Sequence, residues 1–156
     1  MVKAAMKNTI HVREMLSTDI EPISSAFLQQ GWDKPVSLYI QYFDEQRAGT
    51  RSVLIATDAD TFAGYITIVW QSTYPPFLAQ GIPEIVDFNV FLKYQRQGIG
   101  NTLLETAEQT VAQRSSMVGI GIGLTADYGA AQILYVKRGY IPDGLGLFQH
   151  LSLIHI

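Results

Sequence analysis

The stretch from Ile82 to Leu124 constrains the fold more than any other part of the chain. Ile82 to Val90 reads as a long strand, and Gln95-Arg96-Gln97-Gly98-Ile99-Gly100 then opens a helix reaching about Arg114. Leu103, Leu104, Ala107 and Val111 recur along that helix at the spacing of one buried face. Val118 to Leu124 is the next strand, so two strands are joined through a helix, which is how parallel neighbours are connected. Its glycines at 119, 121 and 123 fall on one face, kept bare for the close approach of a neighbour.

The remaining elements predict antiparallel pairing around that crossover. Ile10-His11-Val12-Arg13 alternates as a strand does, and Ser17-Thr18-Asp19 followed by Glu21-Pro22 marks a helix start, with Ile20, Ile23, Ala26 and Phe27 on one face and Gly31 ending it. A second helix is expected from Pro35 to Arg47, burying Leu38, Tyr42 and, as a further candidate, Tyr39, with Gly49 closing it. Ser52 to Thr57 and Phe62 to Trp70, separated by Asp58-Ala59-Asp60, read as a hairpin. Gln71 to Gly81, with Pro75-Pro76, Tyr74 and Phe77, reads as an ordered loop. Tyr128 to Arg138 reads as a last helix stopped by Gly139, and the tail from Tyr140 is extended and broken at Pro142-Asp143-Gly144. The predicted class is α/β: a mixed, mostly antiparallel sheet flanked by helices, with one parallel crossover.

Composition narrows the function. At 156 residues, 47% hydrophobic and 16% charged, one packed domain spanning residues 1–156 is expected. A formal net charge of -3 without a basic run argues against nucleic acid as a partner. Without cysteine there is no disulfide, thiol nucleophile or cysteine-held metal. His11, His150 and His155 have no metal-ligand spacing, so no metal is expected. No apolar run suits a membrane span or a secretory leader, and a cytoplasmic protein is the expectation.

Gln95 to Gly100 is where chemistry is first readable. It follows a strand and enters a helix, so backbone amides and the positive end of the helix dipole converge where an anion can sit. The plainer alternative is a loop whose glycines only relieve backbone strain. The segment resembles the signature of the GNAT superfamily of N-acetyltransferases, Q/R-x-x-G-x-G/A between a strand and a helix, here Gln95-x-x-Gly98-x-Gly100. Ala131, Leu134-Tyr135 and Gly139-Tyr140 agree with a second family pattern, and the element order agrees over essentially the whole chain.

The resemblance implies acetyl-coenzyme A as cosubstrate, its pyrophosphate on the amides of Gln95 to Gly100. Phe88, Asn89, Val90, Asn101, Tyr128 and Ala131 complete the cofactor contacts it implies, the Val90 amide facing the thioester carbonyl. Tyr128 stands where the family often has Asn, a departure that touches one contact to the pantetheine arm. The resemblance also implies a small-molecule or peptide amine as acceptor. A homodimer is common in the superfamily.

Acyl transfer to an amine needs a base, an oxyanion donor and a proton for the departing thiolate. Glu84, six residues before Val90, is the candidate base, at a position where some family members carry a catalytic glutamate. Its alternative role is a rim carboxylate that binds a cationic substrate. Asp87 is the competing carboxylate, set on the opposite face of a regular strand unless a bulge intervenes. Tyr135 is the candidate acid, although its spacing with Ala131 and Leu134 equally suits core packing. Trp32, Trp70, Tyr74, Phe77 and Asp87 are candidates for the acceptor pocket; for the aromatics, core or rim packing is the alternative.

Rival readings fare worse. Gly121-x-Gly123-x-x-Ala126 satisfies a dinucleotide-binding pattern, but too little chain follows for the parallel strands such a fold requires. No Gly-Lys-Ser/Thr follows Gly100, which excludes a Walker loop. A non-catalytic acyl-coenzyme A sensor or scaffold is the other alternative. The apolar tail from Leu145 to Ile156 raises the expectation of an open sheet edge, and with it of dimerisation or aggregation.

Overall fold

Alternation at the start of the chain forms strand β1 (Ile10–Glu14), and a 3-10 turn (Ser17–Asp19) leads into helix α1 (Ile20–Gln29). Helix α2 (Val36–Ala48), strands β2 (Arg51–Asp58) and β3 (Thr61–Val69), helix α3 (Pro75–Gln80) and strand β4 (Glu84–Val90) follow. A 3-10 turn (Leu92–Tyr94), helix α4 (Ile99–Ala112) and strands β5 (Met117–Ile120), β6 (Ile141–Pro142) and β7 (Leu147–His150) complete the order. The computed structural model describes residues 9–95, 97–121, 135–142 and 147–150.

Across the sheet the described strands are ordered β1-β2-β3-β4-β5-β7-β6. β1 is antiparallel to β2, and β7 to both β5 and β6, whereas β4 and β5 are parallel with Glu84 opposite Gly119. This is the mixed α/β sheet the sequence predicts, with α4 as the crossover helix. Leu147–His150 has a neighbouring strand on each side, so this part of the tail is not the open edge its apolar sequence suggested.

By contacts the chain divides into two compact units, Met1–Thr67 with Asp87–Thr106 and Ile68–Val86 with Ala107–Ile156. In the first, Asp19 explains the start of α1. Its carboxylate accepts the Leu16 amide at 2.7 Å and takes both terminal nitrogens of Arg13 at 2.8 and 2.9 Å. Ile23 and Phe27 are the buried residues of α1, and Gly31, at φ 81°, turns the chain out of it. Helix α2 buries Tyr39 and Tyr42, while Leu38, expected beside them, is only half-buried. Gln46 pins this helix to the sheet, donating to the Met15 carbonyl at 2.9 Å and accepting the Val53 amide at 3.1 Å. The β2–β3 turn places Ala59 and Asp60 at φ 48° and 69°, the double left-handed geometry of a two-residue hairpin.

In the second unit, the expected loop from Gln71 to Gly81 contains the helix α3. Prolines in its first turn lose no hydrogen bond there, which is why Pro75-Pro76 starts a helix instead of preventing one. Phe77 from α3 is 2% exposed and lies against Gly119, where a Cβ would come within 2.3 Å of its ring. The bare glycine face of β5 is thus explained at Gly119 by an aromatic ring. Glu108 of α4 is fully buried and pairs with Arg138. Among the described residues no helix is long and apolar enough to cross a membrane.

Candidate active site

The loop after β4 is held by its own side chains. Gln95 turns its amide back to donate to the Val90 carbonyl at 3.1 Å, and Gln97 donates to the Lys93 carbonyl at 3.1 Å. Both are therefore spent on shaping the loop. Gly98 adopts φ 84°, a left-handed conformation that L side chains resist, and among the described residues a Cβ there would meet nothing within 4 Å. Ile99, 1% exposed, anchors the first turn of α4, and the Gly98 carbonyl accepts the Thr102 amide at 3.0 Å. Helix geometry leaves the amides of Ile99 and Gly100 without intrahelical acceptors, beneath open space above Gly98. Such a stretch fits a diphosphate. Arg96, Tyr128 and Ala131 lie outside the described residues, and Asn101 is exposed on α4.

Upstream of the loop, β4 does not stay regular. Asp87 has φ 53°, unusual for a residue with a side chain inside a strand, so the parity argument placing it opposite Glu84 does not apply. Its Oδ2 accepts the hydroxyls of Tyr65 at 2.5 Å and Tyr42 at 2.7 Å; its Oδ1 accepts the Asn89 amide at 2.7 Å and faces Lys34 Nζ at 3.5 Å. Tyr39 extends the chain of hydroxyls, its oxygen 3.3 Å from that of Tyr65. Burial is the main cause that pushes Tyr39 up to about 12, and burial together with the Asp87 charge raises Tyr42 and Tyr65 as well. The phenols stay protonated; Tyr42 and Tyr65 donate to the carboxylate, and Tyr39 meets the Tyr65 hydroxyl. Next to them Gly64 permits β3 to lie close to β4: a Cβ would come within 2.6 Å of the Asn89 carbonyl oxygen. Phe88, Asn89 and Val90 are half-buried.

Glu84 stands in a different setting. Its Oε1 accepts the hydroxyl of buried Ser72 at 2.6 Å, and that hydroxyl also accepts the Tyr74 amide at 2.9 Å. Its Oε2 lies where Gly121 leaves room, 3.0 Å from the position of a Cβ. Among the described residues one hydroxyl directs this half-buried carboxylate, against the hydroxyls, amide and ammonium gathered on Asp87. Tyr135 is 5% exposed, with its ring centroid 5.9 Å from that of Tyr140.

The aromatic candidates separate by environment. Phe77 is a core residue of its unit, and Tyr74 packs edge-on against it at 4.8 Å. Trp70 carries the Arg114 guanidinium at 4.0 Å from its ring centroid. Trp32, 38% exposed, stacks on Phe27 at 5.7 Å. Sequence reasoning passed over Lys34, Tyr39, Tyr42, Tyr65 and Ser72. One signal was available: Tyr39 and Tyr42 on one helical face imply buried hydroxyls that need an acceptor. Among the described residues no cluster of metal-ligating side chains occurs.

Residues 16–140 match the model of the acetyltransferase (GNAT) family. No curated protein is significantly similar in sequence. Among solved structures, an N-acetyltransferase from Staphylococcus aureus Mu50 superposes with a TM-score of 0.74 at 15% identity, covering 92% of this chain and 99% of that one. The ribosomal-protein-alanine N-acetyltransferase from Brucella melitensis gives 0.71 at 16% identity, covering 90% and 99%. Salmonella typhimurium yncA, solved with its cofactor acetyl-CoA, gives 0.69 at 15% identity, covering 96% and 98%. Likenesses at this identity establish the fold.

Proposed function

The chain belongs to the acetyltransferase (GNAT) family, and from that premise we propose that it transfers an acetyl group from acetyl-coenzyme A to a primary amine by direct attack in a ternary complex. The observation that carries the site assignment is Gly98, left-handed and uncrowded, at the entrance of α4. Acetyl-coenzyme A supplies the activated thioester, and the amides of Ile99 and Gly100 receive its diphosphate, the Gln95 amide being given to the Leu92 carbonyl at 3.3 Å.

The chain's own groups supply the rest. Glu84 takes the proton of the amine, with the Ser72 hydroxyl fixing one carboxylate oxygen and leaving the other to the acceptor. Asp87 is the weaker candidate for a base, because both of its oxygens already accept hydrogen bonds, from two tyrosine hydroxyls and an amide. The Val90 amide stabilises the developing oxyanion. Tyr135 donates the proton that the departing thiolate requires. Incubation with acetyl-coenzyme A and an amine panel, read by the mass of the acceptor, tests the reading: gain of one acetyl group on an amine supports it, and binding without transfer to any amine overturns it.

A further inference from the structure

The segment between α1 and α2 folds an ammonium group of the chain itself into a cage. Lys34 Nζ lies 3.5 Å from Asp87 Oδ1 and 3.5 Å from the Tyr65 hydroxyl, and stands 5.1 Å from the ring centroid of Phe27 and 6.0 Å from that of Tyr65. A carboxylate and two aromatic rings are the elements by which proteins hold alkylammonium groups.

The walls of this cage are fixed independently of the lysine. Tyr42 and Tyr65 hold Asp87 at 2.7 and 2.5 Å, and Phe27 is packed against Phe91 with centroids 4.8 Å apart. The occupant is held more loosely. Both of its polar contacts are longer than the roughly 2.7–2.9 Å of a good charge-assisted bond, and its side chain is 22% exposed. Its backbone is tied separately, the Lys34 carbonyl accepting the Ser24 hydroxyl at 2.5 Å, so the side chain can leave without moving the segment.

We infer that this cage is a subsite for a second, non-reacting primary ammonium of the acceptor, and that Lys34 occupies it until a diamine displaces it. The inference rests on the acetyltransferase reading and names the acceptor class. A cage that stabilises charge opposes what a nucleophilic amine needs, because the reacting nitrogen must be neutral. The group held beside Asp87 is therefore the one that keeps its proton.

Cadaverine and pentylamine have the same carbon chain and differ by one ammonium group, which makes them the probes. The wild-type protein should favour cadaverine about tenfold in kcat/KM, on the order of one partly desolvated cation in an aromatic site. Lys34→Met keeps the unbranched stem without the charge; it should lower KM for cadaverine several-fold, leave kcat little changed and leave KM for pentylamine unaltered. Equal kcat/KM for the two amines, or a Lys34→Met effect shared by both, would overturn the inference. Calorimetric binding to Lys34→Met separates this test from that of acetyl transfer. Tighter binding of cadaverine than of pentylamine supports the cage even if no acetyl moves, and equal binding overturns it even where transfer occurs.

Discussion

Tyr65 donates its hydroxyl to Asp87 Oδ2 at 2.5 Å, joining the middle of β3 to the one left-handed residue within β4. The bond explains how a carboxylate is tolerated in an aromatic environment, and it has a measurable weight. Asp87→Ala removes the acceptor and strands buried hydroxyls, at a cost of about 1–3 kcal/mol for each group left unsatisfied. Tyr65→Phe removes one donor and leaves Asp87 its other partners, for a loss of about 1 kcal/mol. Urea denaturation should rank the two in that order; equal losses would mean that the hydroxyls find other acceptors.

The same tyrosines set an alkaline limit. Their folded-state affinities for the proton lie above the ordinary phenol value, with Tyr39 at about 12 and Tyr42 and Tyr65 also raised. Above a pH of roughly 10 the unfolded chain sheds phenolic protons that the folded chain keeps, so this stabilisation is complete below that pH and is lost as pH climbs toward the folded values. Thermal melts should fall steeply from about pH 10 upward, and the fall should be shallower in Tyr65→Phe. A wild-type melting temperature flat from pH 9.5 to 11.5 would contradict the assignment.

Gly64 offers a steric test of how β3 positions the end of β4. An added Cβ would meet the Asn89 carbonyl oxygen at 2.6 Å and Val90 Cα at 3.1 Å, both backbone atoms that cannot rotate away. Gly64→Ala should destabilise by about 1–3 kcal/mol, the usual cost of overpacking, and weaken coenzyme A binding through displacement of Val90. Unaltered stability and affinity would show that this close approach is dispensable.

The division between what the residues foretold and what they hid follows from the range of the interactions. The crossover, the hairpin and the stripe Leu103, Leu104, Ala107 and Val111 were legible because periodicity and turn chemistry are local, and each of those four side chains is 0% exposed. Helix α3 was missed because Pro75-Pro76 signals a loop and a helix first turn alike. The Asp87 cluster was hidden for another reason. Its members come from α2, β3, β4 and the segment before α2, and only the fold brings them together. The left-handed backbone at Asp87 has only a weak marker: Asp tolerates that conformation better than most residues, but a single Asp in a run of strand formers does not locate a bulge.

Roles for Glu84 and Tyr135 are separable by pH. Glu84→Gln should depress turnover most at low pH, where the acceptor amine is protonated, and recover toward the amine's own pKa of roughly 10. Tyr135→Phe should lower turnover by about 10²-fold with cofactor affinity unchanged. A small loss independent of pH would make Glu84 a binding residue, and undiminished turnover in Tyr135→Phe would return that ring to packing alone.

The most direct measurement of the central claim is the amine-dependent release of coenzyme A thiol from acetyl-coenzyme A, followed in the wild-type protein and in Gly98→Val. Acetyl transfer at this site requires release that saturates with a primary amine and is matched mole for mole by acetylated acceptor. It also requires strongly weakened cofactor binding in a Gly98→Val protein that remains folded, because a branched side chain would fill the space above the loop. Thiol release that is absent with every amine, or coenzyme A affinity within a few fold of wild type in folded Gly98→Val, would contradict it.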